Sequence, residues 1–187
     1  VGTFLGGLFD AVITVDPHLH RISRLSEAVS ARAAIAVSAA PRIGAYLAEH
    51  GRDWLLLGPD AESAQWVAQA AAAGGFEHAV CTKARHGDRE VAIDLPALPL
   101  RGRRVAIVDD IASTGRTVAQ AASLARAAGA IEVVVAVTHA LFAGDALDHL
   151  QAAGVSQVWS TDSVPHASNR VALAPLLAQA LAELSLG

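Results

Sequence analysis

The chain has 187 residues, 17% of them charged, a formal net charge of -4 and a mean hydropathy of +0.39. That length suits one good domain, or one domain and part of another, and the acidic balance argues against a general nucleic-acid binder. The apolar fraction is 53%, yet no apolar run reaches the roughly 18–20 residues of a membrane span, so a core-rich cytoplasmic protein with neither nucleic acid nor membrane as partner is expected.

Taken in chain order, Phe4–Phe9 finish a helix and Ala11–Val15 form a strand. A second apolar strand is expected at Ala33–Val37, then a helix at Pro41–His50. Leu55–Leu57 read as a short strand running into the turn pair Gly58-Pro59. The Ala-rich stretch Ala61–Ala73 reads as a helix stopped at Gly74-Gly75. Strands are expected at Ala79–Thr82 and Val91–Leu95, with the charged, glycine-containing stretch from Lys83 to Arg89 as an exposed flap between them. Cys81, the one cysteine, has no intrachain disulfide partner or Cys-based zinc site and reads as a buried thiol. Arg101, Arg103 and Arg104 suit a solvated turn or a subunit contact.

Val105–Val108 is a short, largely β-branched run that suits a central strand, stopped by Asp109 and Asp110. A helix at Val118–Ala128, a strand at Ile131–Val137, a helix at Asp145–Ala153, a strand at Gln157–Trp159 and a helix at Pro175–Leu186 complete the series. Strands alternating with helices predict a parallel sheet covered on both faces. Ligands in such sheets sit at the carboxyl ends of strands, and Asp60, Lys83, Asp109 and His139 all fall just after predicted strands. The expected division is 1–50, 51–170 and 171–187, the last a helix that returns to the first segment.

The loop after the Val105 strand carries the most chemistry. Ser113, Thr114, Gly115 and Thr117 offer hydroxyls and backbone N–H groups where a helix begins. Unpaired amides and the positive end of a helix dipole make a phosphate cradle. Two carboxylates beside it suit ribose hydroxyls or a divalent cation. The alternative is that Asp110 or Ser113 merely caps the helix. There is no G-x-x-x-x-G-K-[ST] phosphate loop.

Asp109-Asp-Ile-Ala-Ser-Thr-Gly-Arg-Thr117 resembles the phosphoribosyl-diphosphate (PRPP) loop of type I phosphoribosyltransferases and ribose-phosphate pyrophosphokinases. Five further segments resemble the pyrophosphokinases in order and spacing. They are Val12–His20 with its V-D-x-H pattern, Leu57–Ala61 with P-D-A, Lys83-Ala-Arg85, Thr138–Phe142 with T-H-x-x-F, and Thr161–Pro165. The chain is thereby identified as resembling the ribose-phosphate pyrophosphokinase (PRPP synthetase) family. The family's upstream segment, with the loop that binds ATP, has no counterpart, and the chain contains no methionine. It therefore reads as lacking an N-terminal ATP-loop half.

The resemblance implies a type I phosphoribosyltransferase-like fold, with residues 1–50 the remnant of a second, similar domain. It implies transfer of diphosphate from ATP to the 1-hydroxyl of ribose 5-phosphate, giving PRPP and AMP, with Mg²⁺ as cofactor. It implies a homo-oligomer, dimer or hexamer, for which the apolar Val1–Phe9 end and exposed tryptophans are suited. Lys83 and Arg85 would be catalytic, and two cations at i and i+2 share one face of an extended segment. Arg85, Asp109, Asp110, Ser113, Thr114, Gly115, Arg116 and Thr117 would bind ribose 5-phosphate. His18 and Asp60 would serve the metal, and His18 also ATP. Each has a plainer alternative: a solvated hairpin tip for Lys83 and Arg85, a surface histidine for His18 and His20, and a helix N-cap for Asp60. His50, His78, His86, His149 and His166 lack motif support and read as surface residues. Trp54, Trp66 and Trp159 read as core or interface.

Departures from the family pattern are Ser113 and Arg116, where acid and glycine are common, and Glu62, Ser63 and Trp66 after Asp60. Two other functions stay open: a phosphoribosyltransferase that consumes PRPP, which the cradle allows, and a non-catalytic regulatory relative, which the altered Glu62, Ser63 and Ser113 motivate.

Overall fold

In the computed structural model, residues 1–19, 24–86 and 90–184 are described, with backbone alone for 83–86 and 90–92. His20, the flap tip at 87–89 and the end of the last expected helix lie outside the described residues. The chain divides into two compact units, Val1–Ala39 with Ala172–Gly187, and Ala40–Val171.

The smaller unit holds helix α1 (Gly2–Leu8), strand β1 (Ala11–Val15), helix α2 (Leu25–Ala28), strand β2 (Ala33–Val37) and, after the second unit, helix α7 (Ala174–Ala182). Strands β1 and β2 pair in parallel, Ala11 opposite Ala33. Just past β1, Asp16 takes φ 38°. Its amide donates to Val37 O and its buried carboxylate accepts the Ala39 N–H at 2.9 Å, so the V-D-x-H turn is tied to the end of β2.

The larger unit contains helix α3 (Ala40–Glu49), β3 (Trp54–Gly58), a 3-10 turn (Ala61–Ser63), α4 (Ala64–Gly74), β4 (Glu77–Val80), β5 (Thr82–His86), β6 (Glu90–Asp94), β7 (Arg104–Ala112), α5 (Arg116–Ala127), β8 (Glu132–Ala140), α6 (Ala146–Ala152), β9 (Gln157–Thr161) and β10 (Asn169–Val171). Six strands form one parallel sheet in the order β10-β9-β8-β7-β3-β4. The two-residue period of the pleat sorts its apolar residues. Leu55, Leu57, Val105, Ile107, Val133 and Val135 face Val118, Ala122 and Ala125 of α5 and Leu150 of α6. Trp54, Leu56, Ala106, Val108 and Val134 face Ile43 and Leu47 of α3 and Val67 and Ala70 of α4. Helices thus cover both faces, as the alternation of elements predicts. Helix α3, expected with the first segment, belongs to this unit because it packs on α4, where a Cβ on Gly44 would run into the Ala70 carbonyl.

Several boundaries differ from the sequence reading. β7 does not stop at Asp109; it continues to Ala112, because β8 runs alongside it and pairs Asp109 with Val137 and Ile111 with His139. β8 correspondingly extends through His139 to Ala140. The stretch after Cys81 is an antiparallel hairpin in which Lys83 pairs with Ile93 and Arg85 with Val91, so its base is strand, not loop. The short α2 and the edge strand β10 had no sequence signal. All three tryptophans are buried in the α3–α4 core, so none is an exposed interface residue. Arg103 and Arg104 are ion-paired, to Glu77 at 2.7 Å and to Glu132 and Asp53 at 2.7 and 3.0 Å, and the Arg104 guanidinium stacks 3.8 Å from the Trp54 ring centre.

Candidate functional site

The order of strands decides where a ligand can enter. From β3 the chain passes through α4 to β4 on one side; from β7 it passes through α5 to β8 on the other. Connections that diverge from neighbouring strands leave a crevice at their carboxyl ends. The loops that open there are Gly58–Asp60 after β3 and Ala112–Arg116 after β7. The β5–β6 hairpin follows β4, the strand beyond β3, so it starts two strands from β7, on the order of 10 Å away.

The turn that opens α5 has the backbone its residue types suggest. Gly115 is the N-cap of α5, with φ 68° and ψ 0°. No side chain caps the helix, so the alternative of a mere Asp110 or Ser113 cap is not what forms. Ala119 N–H closes the first helical bond on Gly115 O at 2.8 Å, which leaves the amides of Arg116, Thr117 and Val118 without intrahelical partners. Gly115 is buried while Ser113, Thr114 and Arg116 are exposed. A Cβ at Gly115 would stand 3.3 Å from Ala146 O, so glycine serves both the left-handed backbone and the close approach of α6. The first turn of α5 carries no acid to compete with a bound anion.

Beside this turn, Asp110 is 1% exposed, and the Asp109 carboxylate accepts the Asp110 N–H at 2.9 Å. Burial first, then the charge of Asp110, and less strongly that of Asp60, raise the pKa of Asp109 from 3.8 to about 8. These acids are close enough to repel one another, and such repulsion is relieved by a proton, a cation or hydroxyl donors. Asp60 caps the 3-10 turn: its carboxylate accepts the Glu62 N–H at 3.1 Å and its carbonyl accepts Ser63 Oγ–H. The N-cap alternative for Asp60 is therefore real. Among the described residues, no three His, Cys, Asp or Glu side chains stand together as a ready metal site.

The remaining candidates are distributed as follows. Lys83 and Arg85 lie on β5, whose hairpin is anchored by Ile93 and Cys81 in the α5-side core. His18 is exposed and belongs to the smaller unit. Cys81 is buried, and burial pushes its thiol up to about 11, which agrees with an inert core cysteine. Two histidines carry more structure than their sequence context suggests. His139, near the end of β8, has Nδ1 2.9 Å from Ser163 Oγ. His166, read as a surface residue, is half-buried, with Nδ1 bonded by Ser168 and its ring against Phe142. Nothing local in the sequence marks His166, because its ring partner Phe142 comes from the connection after β8, 24 positions away.

Residues 97–178 match the family model described as phosphoribosyl synthetase-associated domain. The chain is 36% identical over 178 residues to ribose-phosphate pyrophosphokinase of Methanopyrus kandleri, covering 94% of this chain and 60% of that protein. It is also 36% identical to ribose-phosphate pyrophosphokinase 2 of Archaeoglobus fulgidus, covering 96% of this chain and 64% of that one. The fold matches the crystal structure of phosphoribosylpyrophosphate synthetase from Mycobacterium smegmatis with a TM-score of 0.75, at 24% identity, over 97% of this chain and 62% of that one. The chain thus spans about 60% of the length of the relatives it matches. No helix of the described residues is long and apolar enough to cross a membrane. With the PRPP-type loop, the P-D-A turn and the K-x-R hairpin all in register, the chain is similar along nearly its whole length to ribose-phosphate pyrophosphokinases.

Proposed function

We propose that the chain is the part of a ribose-phosphate diphosphokinase that grips ribose 5-phosphate, for transfer of diphosphate from ATP to the sugar's 1-hydroxyl with AMP as co-product. One observation carries the reading. The amino end of α5 is uncapped by any side chain and opens beside the Asp109 carboxyl, which burial and the charge of Asp110 make reluctant to ionise. The amides and hydroxyls of Ser113, Thr114, Gly115 and Thr117 hold the 5-phosphate, with Arg116 as a flanking cation. Asp109 and Asp110 take the ribose hydroxyls as hydrogen-bond donors, which favours the ionised Asp109.

Transfer of a diphosphoryl group demands positioning and charge neutralisation more than covalent chemistry from the protein. Lys83 and Arg85, on a hairpin rooted beside β4, supply cations to the migrating group and its leaving oxygen. The resemblance also assigns Arg85 to the sugar phosphate. The donor set suits Mg²⁺, which binds through one or two carboxylates and substrate phosphates rather than an all-protein cage. Asp60 is a protein-side partner in the larger unit; in the smaller unit, the V-D-x-H resemblance assigns His18 to metal and ATP. When bound, Mg²⁺ would neutralise phosphate charge and orient the nucleotide. The same reading includes a cytoplasmic homo-oligomer, dimer or hexamer; Phe4 and Leu8 on α1 are 69% and 60% exposed and offer apolar surface for assembly.

The test is product formation by the full-length protein with ATP, Mg²⁺ and ribose 5-phosphate. AMP should appear only when the sugar is present, and Lys83→Ala should lower kcat by at least about 100-fold, the scale of a lost transition-state charge contact. AMP formation that ignores the sugar, or undiminished turnover in the variant, overturns the assignment.

A further inference from the structure

The cradle is held from outside as well as by its own helix. Two consecutive amides of the β8–α6 connection lock onto two consecutive carbonyls at its entrance: Phe142 N–H donates to Ala112 O at 2.9 Å and Ala143 N–H to Ser113 O at 3.0 Å. At this connection Phe142 takes φ 33°. That is left-handed backbone, which an L side chain adopts at a cost. Such a conformation persists only where its surroundings over-determine it. Here the Phe142 ring stands against the His166 imidazole, centroids 5.1 Å apart and planes at 49°.

His166 is itself fixed. Ser168 N–H donates to His166 Nδ1 at 3.1 Å. A nitrogen that accepts carries no proton, so the imidazole is the Nε2–H tautomer. Ser168 Oγ, 2.7 Å from the same nitrogen, must then donate to it. Its single proton spent, Ser168 Oγ accepts from Ser160 Oγ at 2.7 Å, and Ser160 Oγ accepts from Asn169 Nδ2 at 2.9 Å. The direction Asn169 to Ser160 to Ser168 to His166 is therefore the consistent one, and aligned donors strengthen one another. Ser160 and Ser168 are buried, at 1% and 6% exposure, which shields the relay from water.

We propose that His166 is a positioning residue for the phosphate cradle, acting through the left-handed turn at Phe142. The proposal deepens the sugar-phosphate reading of Ser113–Thr117 and rests on it for its consequence in binding, though not for its mechanics.

The test uses the full-length protein, with ribose 5-phosphate as the probe, and variants Phe142→Ala, Phe142→Gly, His166→Ala and His166→Asn. Long-range ¹H–¹⁵N spectra should show His166 as the Nε2–H tautomer, and Ser168→Ala should disturb it. Backbone amide resonances of Ser113–Thr117 should shift or broaden in Phe142→Ala and in both His166 variants. His166→Asn keeps an acceptor for Ser168 but removes the ring, so it separates positioning from loss of the buried relay, and it serves if His166→Ala fails to fold. Calorimetric affinity for the sugar should fall most in Phe142→Ala. Phe142→Gly should recover about fivefold of that loss, because glycine adopts positive φ freely. A purely packing role predicts the reverse order, since glycine loses more chain entropy than alanine. Unmoved cradle amides in His166→Asn, or Phe142→Gly no better than Phe142→Ala, overturn the proposal. If the wild-type chain fails to bind the sugar at all, the proposed function falls while the amide resonances still decide the positioning.

Discussion

Replacing Asp109 by asparagine tests whether the fold holds a proton at the cradle's edge. Burial and the charge of Asp110 raise this carboxyl from 3.8 to about 8. The native state then keeps a proton that the unfolded chain has released. The stabilisation is complete below about pH 4 and is lost as pH rises toward 8. At 1.36 kcal/mol for each tenfold change in proton affinity, the ceiling is on the order of 5 kcal/mol. Discounted for the water that reaches this site, about 2 kcal/mol between pH 5 and pH 8 is expected. Asparagine keeps an oxygen for the Asp110 N–H, bonded at 2.9 Å in the wild type, but cannot ionise. Urea unfolding of both proteins at pH 5, 6.5 and 8 gives the comparison, because every other titrating group largely drops out of the difference. Asp109→Asn should gain on the wild type by about 2 kcal/mol as pH rises, while binding ribose 5-phosphate more weakly at pH 8. A gap constant to within about 0.5 kcal/mol across that range would show that Asp109 titrates normally and refute the electrostatic account of the site.

Further outcomes follow from the same geometry. Gly115→Ala, at φ 68° with Ala146 O 3.3 Å from the new Cβ, should lose about 1–2 kcal/mol in urea unfolding and about tenfold in sugar-phosphate affinity; wild-type affinity would mean that the turn does not form the cradle. Asp60→Ala should cost about 1 kcal/mol through its lost cap. Asp60→Asn should keep the cap to Glu62 yet lose Mg²⁺-dependent AMP formation by the full-length protein, and full activity there would reduce Asp60 to a cap alone. The Cys81 thiol, buried and pushed up to about 11, should ignore a disulfide reagent at pH 8 until urea exposes it.

Much of the larger unit was legible in residue order. The β-branched, nearly continuous apolar runs at Val105–Val108 and Ile131–Val137 identify central strands because a doubly covered sheet demands apolar side chains on both faces. Gly115 and the hydroxyls around it identify a helix start with free amides. Strand ends were less legible. Asp109, Asp110 and His139 break the hydrophobic pattern, yet they remain in strand because β7 and β8 pair along their full length and satisfy each other's backbone, a pairing no local window contains. The base of the Lys83–Asp94 flap became strand for the same reason.

The sequence by itself determined which residues are apolar enough to form the sheet, which loop can present bare amides, and which family motifs stand in register. The tertiary structure alone decided that β3 and β7 are neighbours whose connections diverge, which opens the crevice between Asp60 and the cradle. It alone brought His166 to Phe142, 24 positions apart, and buried Asp109 against Asp110 so that its proton affinity rises. The reason is physical: periodicity and turn chemistry act over a few residues, whereas strand order, desolvation and side-chain relays depend on which distant segments exclude water together.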